Sequence, residues 1–351
     1  MKLRTKAALS GLGLAALVAG CAGASHIGAL QPPGAPSPAA TPATTAHMVS
    51  KPGIQLGIDV DWYTWPGQDI TSGAAATVAY IKSLHANSVS VSFPFFTHGL
   101  NPASVHSTSA TPTTAQLAIF VRDAEQAGLY VSLRPLLDES SLGISRVGWI
   151  PSSIPAFMAS YRHWIRPYLD MAQLEHVPEF IEASELTGFD ASPVWNSFDR
   201  FARAHYRGQL ACAANWDRLV PGMCGGVKLT VDAYPRGISA SQELVGWKAY
   251  DAALPSHIVE TEVGIAAVKG APSQPWRVKW HTTQLDPGVQ ARWFTAACHA
   301  ATQEHLAGIY FWSVGMGKPI RGPTAANEGA WAGSAGASAI SACFASVEVT
   351  H

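Results

Sequence analysis

From Gly53 onward the chain alternates short apolar, β-branched runs with longer stretches in which apolar residues recur at helical spacing. The runs that read as strands are Ile54–Val60, Ser88–Ser92, Tyr130–Arg134, Glu179–Ser184, Gln209–Ala213, Val227–Val231, Ile258–Thr261 and Ile309–Ser313. Helical patterns cover Gly73–Ala86, Thr114–Gly128, Ile154–His176, Pro193–Tyr206, Ala240–Leu254 and Pro287–Leu306. Thr113, with Gln116 three residues on, is a helix start, and Gly128 is a stop. Around Val220–Gly226 the fifth and sixth strands leave room for a turn but not for a long helix. Eight strands alternating with helices predict one α/β domain, a (β/α)8 TIM barrel over residues 53–351. An open doubly wound sheet would call for a Gly-x-Gly-x-x-Gly turn after an early strand, and the chain has none.

The residues before the barrel follow other rules. Lys2, Arg4 and Lys6 precede an apolar stretch, Ala7–Val18, that is too short to span a bilayer comfortably. It closes on Leu17-Val-Ala-Gly-Cys21, which resembles a bacterial lipobox, so residues 1–21 are expected to be a lipoprotein signal with Cys21 lipidated. Residues 22–52 are rich in Ala, Pro, Ser and Thr, nearly uncharged and without periodicity, the composition of a flexible tether. The expected location is extracytoplasmic, on the bacterial cell envelope, held to the membrane by that anchor.

Charge narrows the partners. The whole chain carries 24 Asp+Glu against 23 Lys+Arg, and three of those cations lie in the leader, so the remainder is mildly acidic with no basic run. That excludes a nucleic-acid partner. Twelve tryptophans in a chain without membrane spans suggest carbohydrate, since indole faces stack on sugars. With Cys21 assigned to lipid, Cys212, Cys224, Cys298 and Cys343 remain, an even number in an exported protein, and disulfides are expected. Pairing 212 with 224 would close one loop; pairing 298 with 343 would tie the last two helices. No metal-ligand spacing is present, and neither metal nor cofactor is expected.

Active sites of such barrels lie on the loops at the strand carboxyl ends, and chemistry-bearing residues gather there. Strand one is followed by Asp61, Trp62 and Trp65, strand three by Asp138 and Glu139 after Arg134, and strand four by Glu185. Strand five leads to Asn215-Trp216, strand six to Asp232 and Tyr234, strand seven to Glu262 and strand eight to Trp312. Two carboxylates at the ends of separate strands are what a retaining glycosidase needs, one to protonate the leaving oxygen and one to attack the anomeric carbon. Glu260 rivals Glu262, because residues two apart share a strand face, and Glu182 raises the same ambiguity against Glu185. The position nearest the mouth, before glycine, is favoured in both cases, and Glu260 would then need a partner such as Lys228.

Glu179-Phe-Ile-Glu-Ala-Ser-Glu-Leu-Thr-Gly188 and Ile258-Val-Glu-Thr-Glu-Val-Gly264 resemble the fourth- and seventh-strand signatures of clan A retaining glycoside hydrolases. The nearest resemblance is to glycoside hydrolase family 113, the β-mannanase family. Leu129–Pro135, Phe157–Trp164, Val231–Pro235 and Gly308–Ser313 match further pieces in the right order. The resemblance implies a cofactor-free enzyme cleaving β-linked glycans with retention, Glu185 as acid/base and Glu262 as nucleophile. Many clan A members carry asparagine before the acid/base; here it is Ser184. The segment Trp276–His281 has no family counterpart.

Substrate contacts are expected from Trp62, Arg134, Asn215, Trp216, Tyr234 and Trp312, with the Tyr234 hydroxyl directed to Glu262 and Trp312 flooring the sugar site. The expected activity is that of an endo-β-1,4-mannanase-like hydrolase acting as a monomer on poly- or oligosaccharide. Two alternatives stand beside it: a non-catalytic glycan-binding lipoprotein on the same scaffold, and a hydrolase of the cell's own envelope polysaccharide.

Overall fold

The computed structural model describes residues 49–348 apart from residues 100, 101, 221, 240 and 278. The leader, Cys21 and the tether up to residue 48 lie outside the described residues. Eight parallel strands form the wall: β1 (Gln55–Asp61), β2 (Ser88–Thr97), β4 (Tyr130–Leu137), β5 (Glu179–Ser184), β6 (Gln209–Asn215), β7 (Lys228–Ala233), β8 (Val259–Val263) and β9 (Gly308–Gly315). Each pairs with its successor and β9 pairs with β1, so the sheet closes into the expected barrel. A two-residue strand, β3 (Val105–His106), adds an antiparallel flap to the rim end of β2.

Among the described residues seven α-helices pack outside: α1 (Ile70–Ser83), α2 (Thr114–Gln126), α3 (Ile154–Leu174), α4 (Val194–His205), α5 (Glu243–Asp251), α6 (Pro287–Gln303) and α7 (Ala335–Glu348). Between β6 and β7 the expected short connection is a single 3-10 turn, Met223–Gly226. The Thr113–Gln116 pair forms a reciprocal capping box at the start of α2. α1 begins at Ile70, ahead of the expected Gly73, because Asp69 caps it by accepting the Ser72 N–H. α7, built of small residues with a weak pattern, completes the ring and is tied to α6 by Cys298–Cys343. The other disulfide, Cys212–Cys224, joins β6 to the turn that follows it.

β2 and β4 run several residues past their expected ends. Pro94 and Pro135 disguise the continuation, since proline normally marks a strand edge. Here Phe93 pairs with Pro135 and Phe95 with Leu137, which lengthens the wall under the mouth. The main core lies between wall and helices, where Tyr161, Trp164 and Tyr168 of α3 pack against Phe93 and Phe95 of β2. Inside the barrel the filling is smaller and more polar. Ile181, Ala211 and Ala213 make a separate apolar cluster, and the Tyr310 hydroxyl donates to Gln55. Gly57 is required there, because a Cβ would fall 2.1 Å from the Tyr310 ring.

Candidate active site

Two interruptions of the wall decide which carboxylates face the mouth. In β5, Ile181 pairs with Ala211 but Ala183 pairs with Cys212, leaving Glu182 as the extra residue of a bulge. In β8, Val231 of the neighbouring strand pairs with Glu260 and Asp232 pairs with Glu262, so Thr261 is skipped. The two-residue rule that places Glu260 and Glu262 on one face therefore fails. Glu260 lies fully buried beside Asp251 of α5, and Glu182 beside Asp199 of α4, both behind the wall. Burial, reinforced by the neighbouring carboxyl, raises the pKa of each well above the carboxylate range. Lys228, the expected partner of Glu260, instead binds Glu179 at 2.6 Å.

Glu185 and Glu262 stand at the mouth, with Asp232 between them. One oxygen of each of the three lies within 4.8 Å of the others. Arg134, fully buried on β4, organises this cluster. Its Nη2 is 2.5 Å from Asp232 and 3.0 Å from Glu262, its Nε donates to Ser184 at 2.9 Å, and its Nη1 is 3.7 Å from Asp59. Burial pushes its pKa down, but the ring of carboxylates overcomes this and holds it above its ordinary value. The other Glu262 oxygen accepts the Tyr234 hydroxyl at 3.0 Å, so both oxygens of this acceptor have a donor. Thr261, displaced by the bulge, donates to Asp232 at 3.0 Å.

Glu185 has different surroundings. It follows β5 in a left-handed conformation (φ 53°), fastened by its N–H to the Ala213 carbonyl. That turn lifts the side chain over the rim rather than along the strand. Burial raises its pKa, the Arg146 guanidinium 2.6 Å away lowers it, and the Glu262 charge raises it again, leaving it above the ordinary glutamate value. Burial likewise pushes Asp59 up to about 8 and Asp61 to about 7, with the Glu262 charge adding to both.

These groups line a cavity of about 530 Å³, whose walls include Tyr63, Arg146, Asn215, Trp216, Arg236, Trp276 and Trp312. Asn215, Trp216, Tyr234 and Trp312 are thus where the sequence puts them, and Arg134 lies beneath, 5.9 Å from the Trp312 ring centre. Trp62 is not brought to the cavity. It is fully buried against Phe120, and the next residue, Tyr63, reaches the mouth and donates to Asp138. Arg146 and Arg236 escape a sequence reading, because they lie in loops without periodicity or a motif. Trp276 reaches the site from the loop after β8 and stacks near Trp216, ring centres 5.8 Å apart.

The profile of glycoside hydrolase family 113 matches residues 60–319. The chain belongs to glycoside hydrolase family 113. Its fold is similar to a family 113 β-1,4-mannanase structure, with TM-score 0.71 and 16% identity over 84% of this chain and 99% of that one. The family 113 β-mannanase of Alicyclobacillus acidocaldarius, solved with the ligand ManMIm, gives TM-score 0.67 and 18% identity over 84% and 98%. The endo-1,4-β-mannanase of Rhizomucor miehei gives TM-score 0.53 and 10% identity over 87% and 100%. No curated protein matches the chain by sequence. As a family 113 member the protein is a glycoside hydrolase.

Proposed function

We propose that this family 113 enzyme is a retaining, endo-acting β-mannanase-like hydrolase with Glu185 as acid/base and Glu262 as nucleophile. The observation that carries the reading is the convergence of Glu185 and Glu262 to within 4.8 Å. Retaining pairs stand about 5–5.5 Å apart and inverting pairs about 6.5–9.5 Å, to leave room for a water. The short separation also speaks against a binding protein that merely borrows the scaffold.

In the first step a Glu262 oxygen bonds to the anomeric carbon as the bond from that carbon to the leaving oxygen breaks. The Glu185 proton passes to the leaving oxygen. Water then attacks the glycosyl ester, Glu185 takes its proton, and Glu262 leaves as carboxylate. Each carboxyl is equipped for its part. Burial raises the pKa of Glu185 against the lowering effect of Arg146, while Tyr234 and Arg134 hold Glu262 by both oxygens. Trp312 beside the pair supplies an apolar floor for the sugar. A second cavity of about 560 Å³ shares Asp61 and Tyr63 with the catalytic one, supporting a cleft long enough for an internal chain segment.

The tether and anchor belong to the same reading. The described chain starts at Val49 beside Tyr130, Pro178 and Gly208, at the amino-terminal ends of the strands and opposite the mouth. A lipid at Cys21 would hold the enzyme on the cell envelope through a flexible tether, within reach of glycans there. The test is proton NMR of fresh digests of β-1,4-mannan: the β-anomer should appear first and Glu185→Gln should abolish it. First appearance of the α-anomer, or undiminished turnover by Glu185→Gln, overturns the assignment.

A further inference from the structure

Two arginines, Arg146 and Arg236, line the Glu185 side of the cavity, where a neutral mannan brings no charge to meet them. Trp216 follows Asn215, the last residue of β6, the strand next to β5. Arg236 lies over it, its Cζ 4.8 Å from the Trp216 ring centre and 4.5 Å from that of Trp276. No carboxylate among the described residues lies within ion-pair distance of Arg236, which is exposed at the mouth. A guanidinium resting on indole faces keeps its N–H edge free, the geometry that receives a carboxylate through two hydrogen bonds.

Arg146 raises a sharper question. It sits in a 3-10 turn (Arg146–Gly148) with its side chain 13% exposed, and its buried Nε has no partner. Its acidic neighbours are Glu185 at 2.6 Å and Glu139 at 3.9 Å. If Glu185 is the acid, as proposed above, it must be protonated when the glycosidic bond breaks. At that point Arg146 loses its close counter-charge and keeps only the longer contact to Glu139, which compensates a largely buried cation poorly. The missing anion would stand beside Glu185, where the leaving sugar lies.

We infer that the leaving-group side of the cleft binds a sugar bearing a carboxylate, a uronate, through Arg146 and Arg236. The uronate draws Arg146 from Glu185 and takes over its charge, so Glu185 protonates the leaving oxygen without an ion pair holding it ionised. Arg236 and its two tryptophans grip the same sugar or the next one, charge and ring face together.

The experiment uses a glucuronate-bearing β-1,4-mannan oligosaccharide and its carboxyl-reduced twin, identical in backbone but uncharged. The quantity read is the ratio of kcat/KM for the acidic to the reduced substrate, which an overall loss of activity does not alter. The wild type should favour the acidic substrate by roughly tenfold at low salt. That ratio should fall toward one in Arg146→Met, in Arg236→Met and in high salt. A wild-type ratio of one or less, or a high ratio unchanged in both variants, overturns the inference. If the wild type cleaves neither substrate, the hydrolase reading has failed by itself and calorimetric binding decides. Tight binding of the acidic oligosaccharide that is lost in Arg236→Met upholds the site, and no binding removes it.

Discussion

Glu260 and Glu262, two residues apart on β8, face opposite sides of the barrel wall. Asp232 of β7 pairs with Glu262 while Val231 pairs with Glu260, and the skipped Thr261 reverses the alternation. One carboxyl therefore meets Arg134 and Tyr234 in the mouth, and the other meets Asp251 under α5. The two should separate cleanly on mutation. Glu262→Gln is expected to lower kcat on a β-linked glycan by about a thousandfold or more, as loss of a nucleophile does. Glu260→Gln should keep most of the activity and show its effect in thermal stability. Equal losses of kcat in the two variants would remove the distinction.

That bulge also marks how far a sequence can be read. The barrel is legible because each strand is a compact apolar run between helical patterns, and the wall forms from local regularity. Glu185 and Glu262 are legible because they end such runs before a glycine. The bulges at Glu182 and Thr261 are set by pairing across strands distant in the chain, which no local pattern records. Trp62 and Tyr63 carry the same lesson, since which of two adjacent aromatics turns inward depends on the packing of Phe120 from α2. Arg146 lies in a Ser- and Gly-rich loop, and only the folded loop brings it to Glu185.

The contact between Arg146 and Glu185 predicts a change in pH dependence. Arg146 lowers the Glu185 pKa against the raising effects of burial and Glu262. Replacing it with methionine removes the lowering influence, so Glu185 should hold its proton to higher pH. In kcat/KM profiles on a neutral β-linked substrate, the alkaline limb of Arg146→Met should move upward relative to wild type. A limb that stays in place or moves down would show that Arg146 does not act on the acid.

Cys298 and Cys343 are 45 residues apart and fasten α7 to α6, far from the mouth. Closing a loop of that length restricts the unfolded chain by about 4 kcal/mol on loop-entropy grounds. Replacing both with serine should lower the unfolding midpoint by several degrees while kcat at room temperature stays near wild type. An unchanged midpoint in a denaturation scan would mean that α7 adds little to the cooperative unit.

The buried carboxyls behind the wall make stability depend on pH in a definite direction. Burial, followed by the charge and hydrogen bond of Asp251, raises Glu260 well above its ordinary value, and burial raises Asp251 against the lowering hydrogen bond with Glu260. In the unfolded chain both groups titrate near pH 4. Between that value and the raised ones the folded protein binds more protons than the unfolded chain. Stability slopes downward with pH wherever that holds. The contribution is whole below the unfolded values and is lost as pH climbs through the folded ones, up to about 8 for Asp251. Asp251→Asn removes one of the two titrating groups and gives Glu260 an amide donor, so its midpoint should decline less steeply than wild type. Glu182 beside Asp199 remains and keeps part of the slope. Thermal melts at several values between about pH 5 and about pH 8 measure the difference, and parallel slopes for the two proteins would show that the Asp251–Glu260 pair does not carry it.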